Sequence, residues 1–551
     1  MTSSKRKTII ITLLSLIYSL FIIIGNSFLL KDSFKYIEKH IFLNIIIFIV
    51  LFIVFYFILN KLFYFLDKKK IINIKINKLK NTKFYHLFDK KTFLFSLIFI
   101  IICWLPYIIS FYPAILSPDP SFQIKQYFGI PNKYSTYNIM LDPSMTITNH
   151  HPVIHTLLLG SCVKIGTIIN NVNLGLFIYS IIQIIVLAST LSYTIKFLKD
   201  NKIKNNYLLL MLLVYSLVPV FPFYSMSAVK DVIFGSLIIL YIIFLYRIIK
   251  SDDLKIKDYL LLIGLLILII LFRNNGIHVI VLSFPALLFM KKKFKYKFKL
   301  LCIFLIIIGF NISYNKVLLP HFNITPVSSR EMLSIPFQQT ARYVKEHGDE
   351  VSDKEKYAID RVLGYDTLAS RYKSGIADPV KNGYNKYTTS EDLKEYFKVW
   401  FKELIKHPKT YIEATISNTY GYFYPSKTNW YIYYKYNNTI TYDGFDYHYN
   451  SLKIPRYILA SYGIAFPYIP VLNILVNIAI NVWILLFMGA YYFYRKKYKE
   501  IIYLLPSFVL ILVCFASPVN AYFRYALPYV FALMLNYGLF MKEVIIDKKY
   551  Y

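Results

Sequence analysis

Only four cysteines occur in 551 residues, Cys103, Cys162, Cys302 and Cys514, all within apolar segments and without paired or metal-ligand spacing. A disulfide framework and a cysteine-built zinc site are therefore not expected. Acidic residues are scarce as well, with 30 Asp and Glu against 63 Lys and Arg, a formal charge of +33. In a soluble protein that imbalance points to nucleic acid, but here the basic residues stand in short clusters between apolar runs, so no nucleic-acid partner is expected. The sequence also lacks a low-complexity linker, a recognisable internal repeat, and a small-x-small cleavage site after its basic first residues. The run from about Thr8 to Leu30 thus reads as a retained first helix.

What fills the chain is apolar surface: 57% of residues are hydrophobic, and the mean hydropathy is +0.47. A bilayer must be its solvent. Runs long enough to cross begin near residues 8, 41, 93, 174, 205, 229, 257, 276, 298, 465, 500 and 521, which predicts an α-helical polytopic membrane protein with about twelve transmembrane helices. Alternating them across the membrane puts about 34 Lys and Arg in the loops of one side and about 8 in the short loops of the other. The basic side is expected to be cytoplasmic and to hold both termini. Heavy use of Lys, Asn, Ile and Tyr in place of Arg, Ala and Val suggests an AT-rich bacterial source, hence the bacterial cytoplasmic membrane.

That alternation requires the segment Val153 to Ile169 not to cross. It is short for a span and contains His155 and Lys164, and counting it would place the basic loop KFLKDNKIKNN outside. It is predicted to be an interfacial or re-entrant helix entered through Pro152. It closes a long external loop, residues 112–173. Four regions follow: 1–92, two added helices and a basic cytoplasmic loop; 93–317, the membrane core; 318–456, an extracytoplasmic soluble domain; and 457–551, the C-terminal helices. In the soluble domain Ser352 with Glu355 forms a capping-box pattern, and Leu393, Tyr396, Phe397, Trp400 and Leu404 recur at helical spacing. The Tyr-rich segment NWYIYYKYNNTITYDGFDYHYN has no helical period and predicts short strands, giving a mainly helical α+β domain.

Ionisable residues at the ends of membrane helices are costly unless they are used. Several fall on the predicted external side: Asp119 in LSPDPSFQ, Lys230 and Asp231 in SAVKDVIFG, Arg273 in LFRNNG and Arg524 in NAYFRYALP, with His150, His151 and His155 nearby. A carboxylate among fixed cations suits transfer of a group from a lipid phosphate. Asp119 would deprotonate or orient the acceptor hydroxyl, while Lys230, Arg273 and Arg524 would take up charge on the departing phosphate. His151 and His155 stand at i,i+4, but the Glu of a zincin motif is missing and no Asp-x-Asp pair accompanies Asp119. A divalent metal is therefore left open, with no cofactor assigned.

The external first loop with its acidic residue, followed by a His-Pro element leading into a horizontal helix, resembles the GT-C superfamily, which includes protein O-mannosyltransferases, the aminoarabinose transferase of lipid A and oligosaccharyltransferases. FYPAILSPDPSFQ, NHHPVIHTLLLG, SAVKDVIFG, LFRNNG, SIPFQQTARY and FRYALP together look like a bacterial family of glycosyltransferase-like multi-pass membrane proteins, over residues 93 to 541. Pro120 stands where several GT-C families carry a second acid, and His151-Pro152 has one proline where those transferases often have two.

The resemblance implies an inverting glycosyltransferase that moves a sugar from a polyprenyl-phosphate carrier to an envelope glycan, lipid or protein. Asp119 would be catalytic, and Lys230, Arg273 and Arg524 would hold the donor phosphate. Gln123, His150, His151, His155, Gln338, Gln339 and Arg342 would position the loop and the substrate. A lipid-linked saccharide transporter or flippase, or a polysaccharide polymerase or ligase, would share the substrate; paired broken helices in repeated halves, the mark of many transporters, are not evident in the sequence.

Overall fold

A computed structural model describes residues 3–68, 82–425, 431–432, 439–442 and 445–546. The protein is an α-helical polytopic membrane protein. Seven helices among the described residues are long and apolar enough to cross a bilayer, or eight if one bent pair is a single span.

The chain opens with α1 (Ser3–Lys31) and α2 (Ile41–Asp67), an antiparallel pair. Tyr18 of α1 stacks on Trp483 at 4.7 Å, so this pair is packed onto the C-terminal helices. Next comes α3 (Thr92–Ser110), then the short α4 (Pro118–Tyr127) inside the first loop, then α5 (Val153–Ile168) and α6 (Val172–Asp200). With 16 residues, α5 is too short to be counted among the spans. It folds back on α6, where a Cβ on Gly166 would come within 2.7 Å of Gly175 Cα; this backbone approach admits only glycine.

The bent pair is α7 (Asn205–Leu217) and α8 (Val220–Met226), broken by 48° at Pro219. Then follow α9 (Lys230–Lys250), largely buried in the bundle, α10 (Ile256–Phe272), α11 (Gly276–Ser283) and α12 (Phe294–Ser313), whose apolar run continues to His321.

Between the membrane helices lies a helical unit: α13 (Ser334–His347), α14 (Asp353–Leu363), α15 (Ser390–Lys406) and α16 (Pro408–Ser417). It has its own core around Phe337, Ile359, Leu363 and Tyr396. The capping box forms as the spacing predicts, with Ser352 N–H donating to Glu355 Oε2 at 2.9 Å. Part of the Tyr-rich segment, residues 429–430, 433–438 and 443–444, lies outside the described residues. The remainder forms an antiparallel hairpin, β1 (Thr439–Tyr442) with β2 (Phe445–His448). This hairpin does not share the helical unit's core. Buried Tyr447 joins a cluster with Ile124 and Leu159, and His448 pairs its backbone with the Asn173 side chain.

The C-terminal helices are α17 (Ile478–Tyr494), α18 (Leu505–Phe515) and α19 (Phe523–Met541). A run expected to start near 465 instead becomes helical at Ile478. Pro467 and Pro470 explain the shift: the intervening chain forms two short 3₁₀ turns, because proline supplies no N–H to continue a helix.

Candidate active site

Three backbone junctions assemble the site. Ile115, just before α4, pairs with the strand-like stretch before α9, its N–H donating to Met226 C=O at 2.8 Å while Ala228 N–H donates back at 3.1 Å. Buried Gln183 of α6 pins that stretch from the other side, its amide donating to the carbonyls of Tyr224, Ser225 and Ser227 at 3.0, 3.0 and 2.6 Å. These contacts hold Asp119 and Lys230 in register. At the second junction Asn149 N–H donates to Thr325 C=O at 2.8 Å, and Asn274 donates to Asn149 C=O at 2.7 Å. They fix the segment carrying His150 and His151. Third, the helical unit clips onto the turn before α19, with Asn520 N–H donating to Gly375 C=O at 2.9 Å and Ala377 N–H to Pro518 C=O at 2.6 Å.

The result is a cavity of about 960 Å³ lined by residues of the first loop, the ends of α9, α10 and α19, and the helical unit. Asp119, Lys230, Arg273 and Arg524, singled out on sequence, all line it, as do His150 and His151. An adjoining apolar groove of about 370 Å³ is lined by residues that include Val153, Leu157, Leu318, Leu319 and Phe322. Tyr314 lines both spaces.

The charged groups form a chain of ion pairs. Arg524 Nη2 donates to Asp119 Oδ2 at 2.7 Å, and Arg524 Nε lies 3.2 Å from Asp231 Oδ2. Arg273 pairs with the other oxygen of Asp231 and packs over the Tyr525 ring at 5.3 Å. Asp231 is fully buried. The two arginines expected to clamp phosphate are thus each already charge-balanced, and Asp231 is the balancing group. Burial alone would raise the Asp119 carboxyl, but the charges of Arg524 and Lys230 and the hydrogen bond from Arg524 outweigh it and hold Asp119 well below the usual carboxylate range. It is a permanent anion near neutral pH, better suited to orienting a hydroxyl and its developing positive charge than to storing a proton.

Lys230 Nζ donates to His151 Nδ1 at 3.0 Å. That bond places the imidazole proton on Nε2, a buried atom with no hydrogen-bond partner and so a donor left for a ligand. Burial, reinforced by Lys230, holds His151 well below the usual histidine range. His150 stacks on Tyr134 at 3.9 Å and lies 3.7 Å from Glu331. Burial lowers it to about 4, so both histidines are neutral at pH 7.

The other predicted residues do different work. Gln123, one turn along α4 from Asp119, joins His155 Nδ1 at 3.0 Å and Thr156 at 2.9 Å, and His155 Nε2 meets the Tyr179 hydroxyl at 2.7 Å. Gln123 and His155 therefore lock α4 to α5 and α6, and His151 and His155 do not converge on one point. Gln338, Gln339 and Arg342 do not line the cavity. Gln338 donates to Lys373 C=O at 2.8 Å, Gln339 joins Thr415 at 2.9 Å and Trp400 at 3.1 Å, and Arg342 pairs with Glu413 at 2.8 Å. These three bind the helical unit together because the buried face of α13 points into it.

Sequence reasoning gave no site role to Asp231, Glu331 or Lys381. Lys381 Nζ lies 2.5 Å from Glu331 Oε2, and both line the cavity from the helical unit's side. Nothing in their local sequence sets them apart from other surface charges. A divalent metal at Asp119 does not fit these residues: the carboxylate is taken by Arg524 and flanked by Lys230, and among the described residues three metal-competent side chains converge only elsewhere.

Over residues 2–544 the sequence matches the model of a family described as "Family of unknown function (DUF6020)". The chain belongs to the DUF6020 family. The match takes in α1 and α2, which sequence reading set apart as an addition, and it reaches beyond Arg524, so the whole site of this DUF6020 member lies inside the family unit. No curated protein and no solved structure matches the chain.

Proposed function

We propose that the protein is a GT-C-like glycosyltransferase of the bacterial cytoplasmic membrane, with both termini cytoplasmic, about twelve membrane-embedded helices and residues 318–456 external. It moves a sugar from a polyprenyl-phosphate carrier to an envelope glycan, lipid or protein. One observation carries this reading. A polar cavity with Asp119 among three basic helix-end residues adjoins an apolar groove through Tyr314. Such a pair of spaces suits an amphiphile whose anionic head sits among cations while its chain lies against apolar side chains.

Within this reading the acceptor hydroxyl lies against Asp119, whose carboxylate accepts its hydrogen bond and stabilises positive charge as the oxygen attacks the sugar carbon. Inversion follows from attack opposite the phosphate. The bond from that carbon to the phosphate oxygen breaks, the electron pair leaves with the phosphate, and the acceptor's hydroxyl proton passes by way of Asp119 to that phosphate, which departs as a monoester. Lys230 and the Nε2–H of His151 donate to the departing phosphate, and Arg524, tethered by Asp231, adds fixed positive charge. The helical unit closes the cavity and presents Glu331 and Lys381 toward the acceptor.

Purified protein reconstituted with polyprenyl-phospho-sugar and envelope acceptors tests the proposal. Sugar transfer with release of polyprenyl phosphate supports it; movement of the lipid-linked sugar across the bilayer without transfer favours a flippase and contradicts it.

A further inference from the structure

His347 ends α13, Glu350 lies in the turn that follows, and His407 joins α15 to α16. The two imidazoles stack at 3.8 Å with their planes 9° apart. Glu350 closes the group, with Oε1 3.5 Å from His347 Nδ1 and Oε2 3.0 Å from His407 Nε2. One ligand atom from each residue lies within 4.8 Å of the other two, and all three side chains reach solvent.

A hydrogen-bond chain fixes the proton on His347. Thr410 donates its only hydroxyl hydrogen to Glu346 Oε2 at 3.2 Å, so at the 3.0 Å contact with His347 Nε2 the hydroxyl oxygen accepts. His347 Nε2 therefore donates to Thr410, which leaves Nδ1 as the ring atom that faces the Glu350 carboxylate.

We propose that His347, Glu350 and His407 form a binding site for a divalent cation of the zinc class, separate from the cavity. Two imidazole nitrogens and one carboxylate oxygen match zinc's ligand preference, whereas magnesium and calcium favour oxygen alone. Tetrahedral bonds of about 2.0 to 2.1 Å set ligand atoms roughly 3.4 Å apart; here one atom from each of the three residues lies within 4.8 Å of the others, so the side chains must draw in to bind an ion. Binding needs two adjustments. The stacked rings must rotate so that their lone pairs converge, and Lys406, now 2.8 Å from Glu350 Oε2, must swing into solvent. A half-exposed lysine gives up such a pair at little cost. Three protein ligands leave the fourth position to water or a further ligand, and the ion ties the end of α13 to the turn between α15 and α16.

Full-length protein in detergent, freed of any polyhistidine tag and stripped with chelator, is titrated calorimetrically with zinc chloride and, separately, magnesium chloride. One saturable zinc site, at least tenfold tighter than any magnesium binding, is expected, together with a higher thermal midpoint in zinc. His407→Ala and Glu350→Gln should each weaken zinc binding about 10- to 100-fold, and the double variant His347→Ala/His407→Ala should lose the zinc-dependent rise in midpoint. Absence of saturable zinc binding by the wild-type protein overturns the proposal, and that reading needs no variant to fold. Undiminished binding by the double variant, which would place the ion elsewhere, overturns it too.

Discussion

Arg524 donates to Asp119 at 2.7 Å, and the same guanidinium stands 3.2 Å from buried Asp231. One arginine thus links an acid on the cavity wall to an acid in the bundle interior. The two carboxylates should respond differently to loss of charge.

Asp231 neutralises both Arg273 and Arg524 with no exposure to solvent. Asp231→Asn leaves two buried guanidinium groups under-compensated, a change that costs about 3–5 kcal/mol when one partner of a buried pair is removed. Thermal melts in detergent should show a large drop in midpoint for Asp231→Asn and a small one for Asp119→Asn, whose side chain is 25% exposed.

His150 predicts a fall in stability with acid. Burial lowers its folded pKa from 6.5 to about 4, so the unfolded chain binds the proton more readily between those values. Its contribution is present above pH 6.5 and is lost as the pH drops toward 4. Because other groups titrate in the same range, the test is the difference from wild type: as the pH falls from 7.5 to 5, the midpoint of His150→Gln should rise relative to that of wild type.

Glu403 predicts the opposite slope within the helical unit. Its Oε1 is buried without a partner, and burial pushes the carboxyl up to about 8. The folded state therefore holds a proton that the unfolded chain has released above its ordinary value of 4.5, so stability falls as the pH rises from 4.5 to about 8 and levels off above it. Glu403→Gln should melt higher than wild type at pH 8.5 and remove that part of the pH dependence.

Sidedness has its own test. Lys354 and Lys257 are both exposed and are expected on opposite faces of the membrane. A membrane-impermeant maleimide should label Lys354→Cys in intact cells and Lys257→Cys only after permeabilisation. The reverse pattern would put the cavity on the cytoplasmic side.

Much of the site was legible because its members break a simple rule. Asp119, Lys230, Arg273 and Arg524 are charges at the edges of apolar runs, and the structure gathers all four around one cavity. The pairing among them was not legible, since it depends on which helix ends meet. Glu331 and Lys381 come from the helical unit and have no apolar flank to expose them. Gln338, Gln339 and Arg342 sit in a motif expected to position the substrate, yet their partners, Lys373, Thr415 and Glu413, lie far along the chain and within the helical unit. Hydropathy marked the polytopic helical fold, but of about twelve runs read from it seven helices among the described residues, or eight with the bent pair, are long and apolar enough to cross, and the run near 465 is broken at Pro467 and Pro470. Span count was less legible: α10 and α17, of 17 residues each, fall below the length that marks a crossing helix in isolation and are packed within the bundle.

The most direct test of the account is the turnover of Asp119→Asn beside Arg524→Ala in one reconstituted assay with polyprenyl-phospho-sugar donor. Loss of an acceptor-orienting carboxylate should lower the rate about 10² to 10⁴-fold with donor binding and monodispersity retained, while Arg524→Ala should chiefly weaken donor binding. Near-normal turnover by Asp119→Asn, with Arg524→Ala inactive, would contradict the assignment of Asp119 and with it the proposed transfer chemistry.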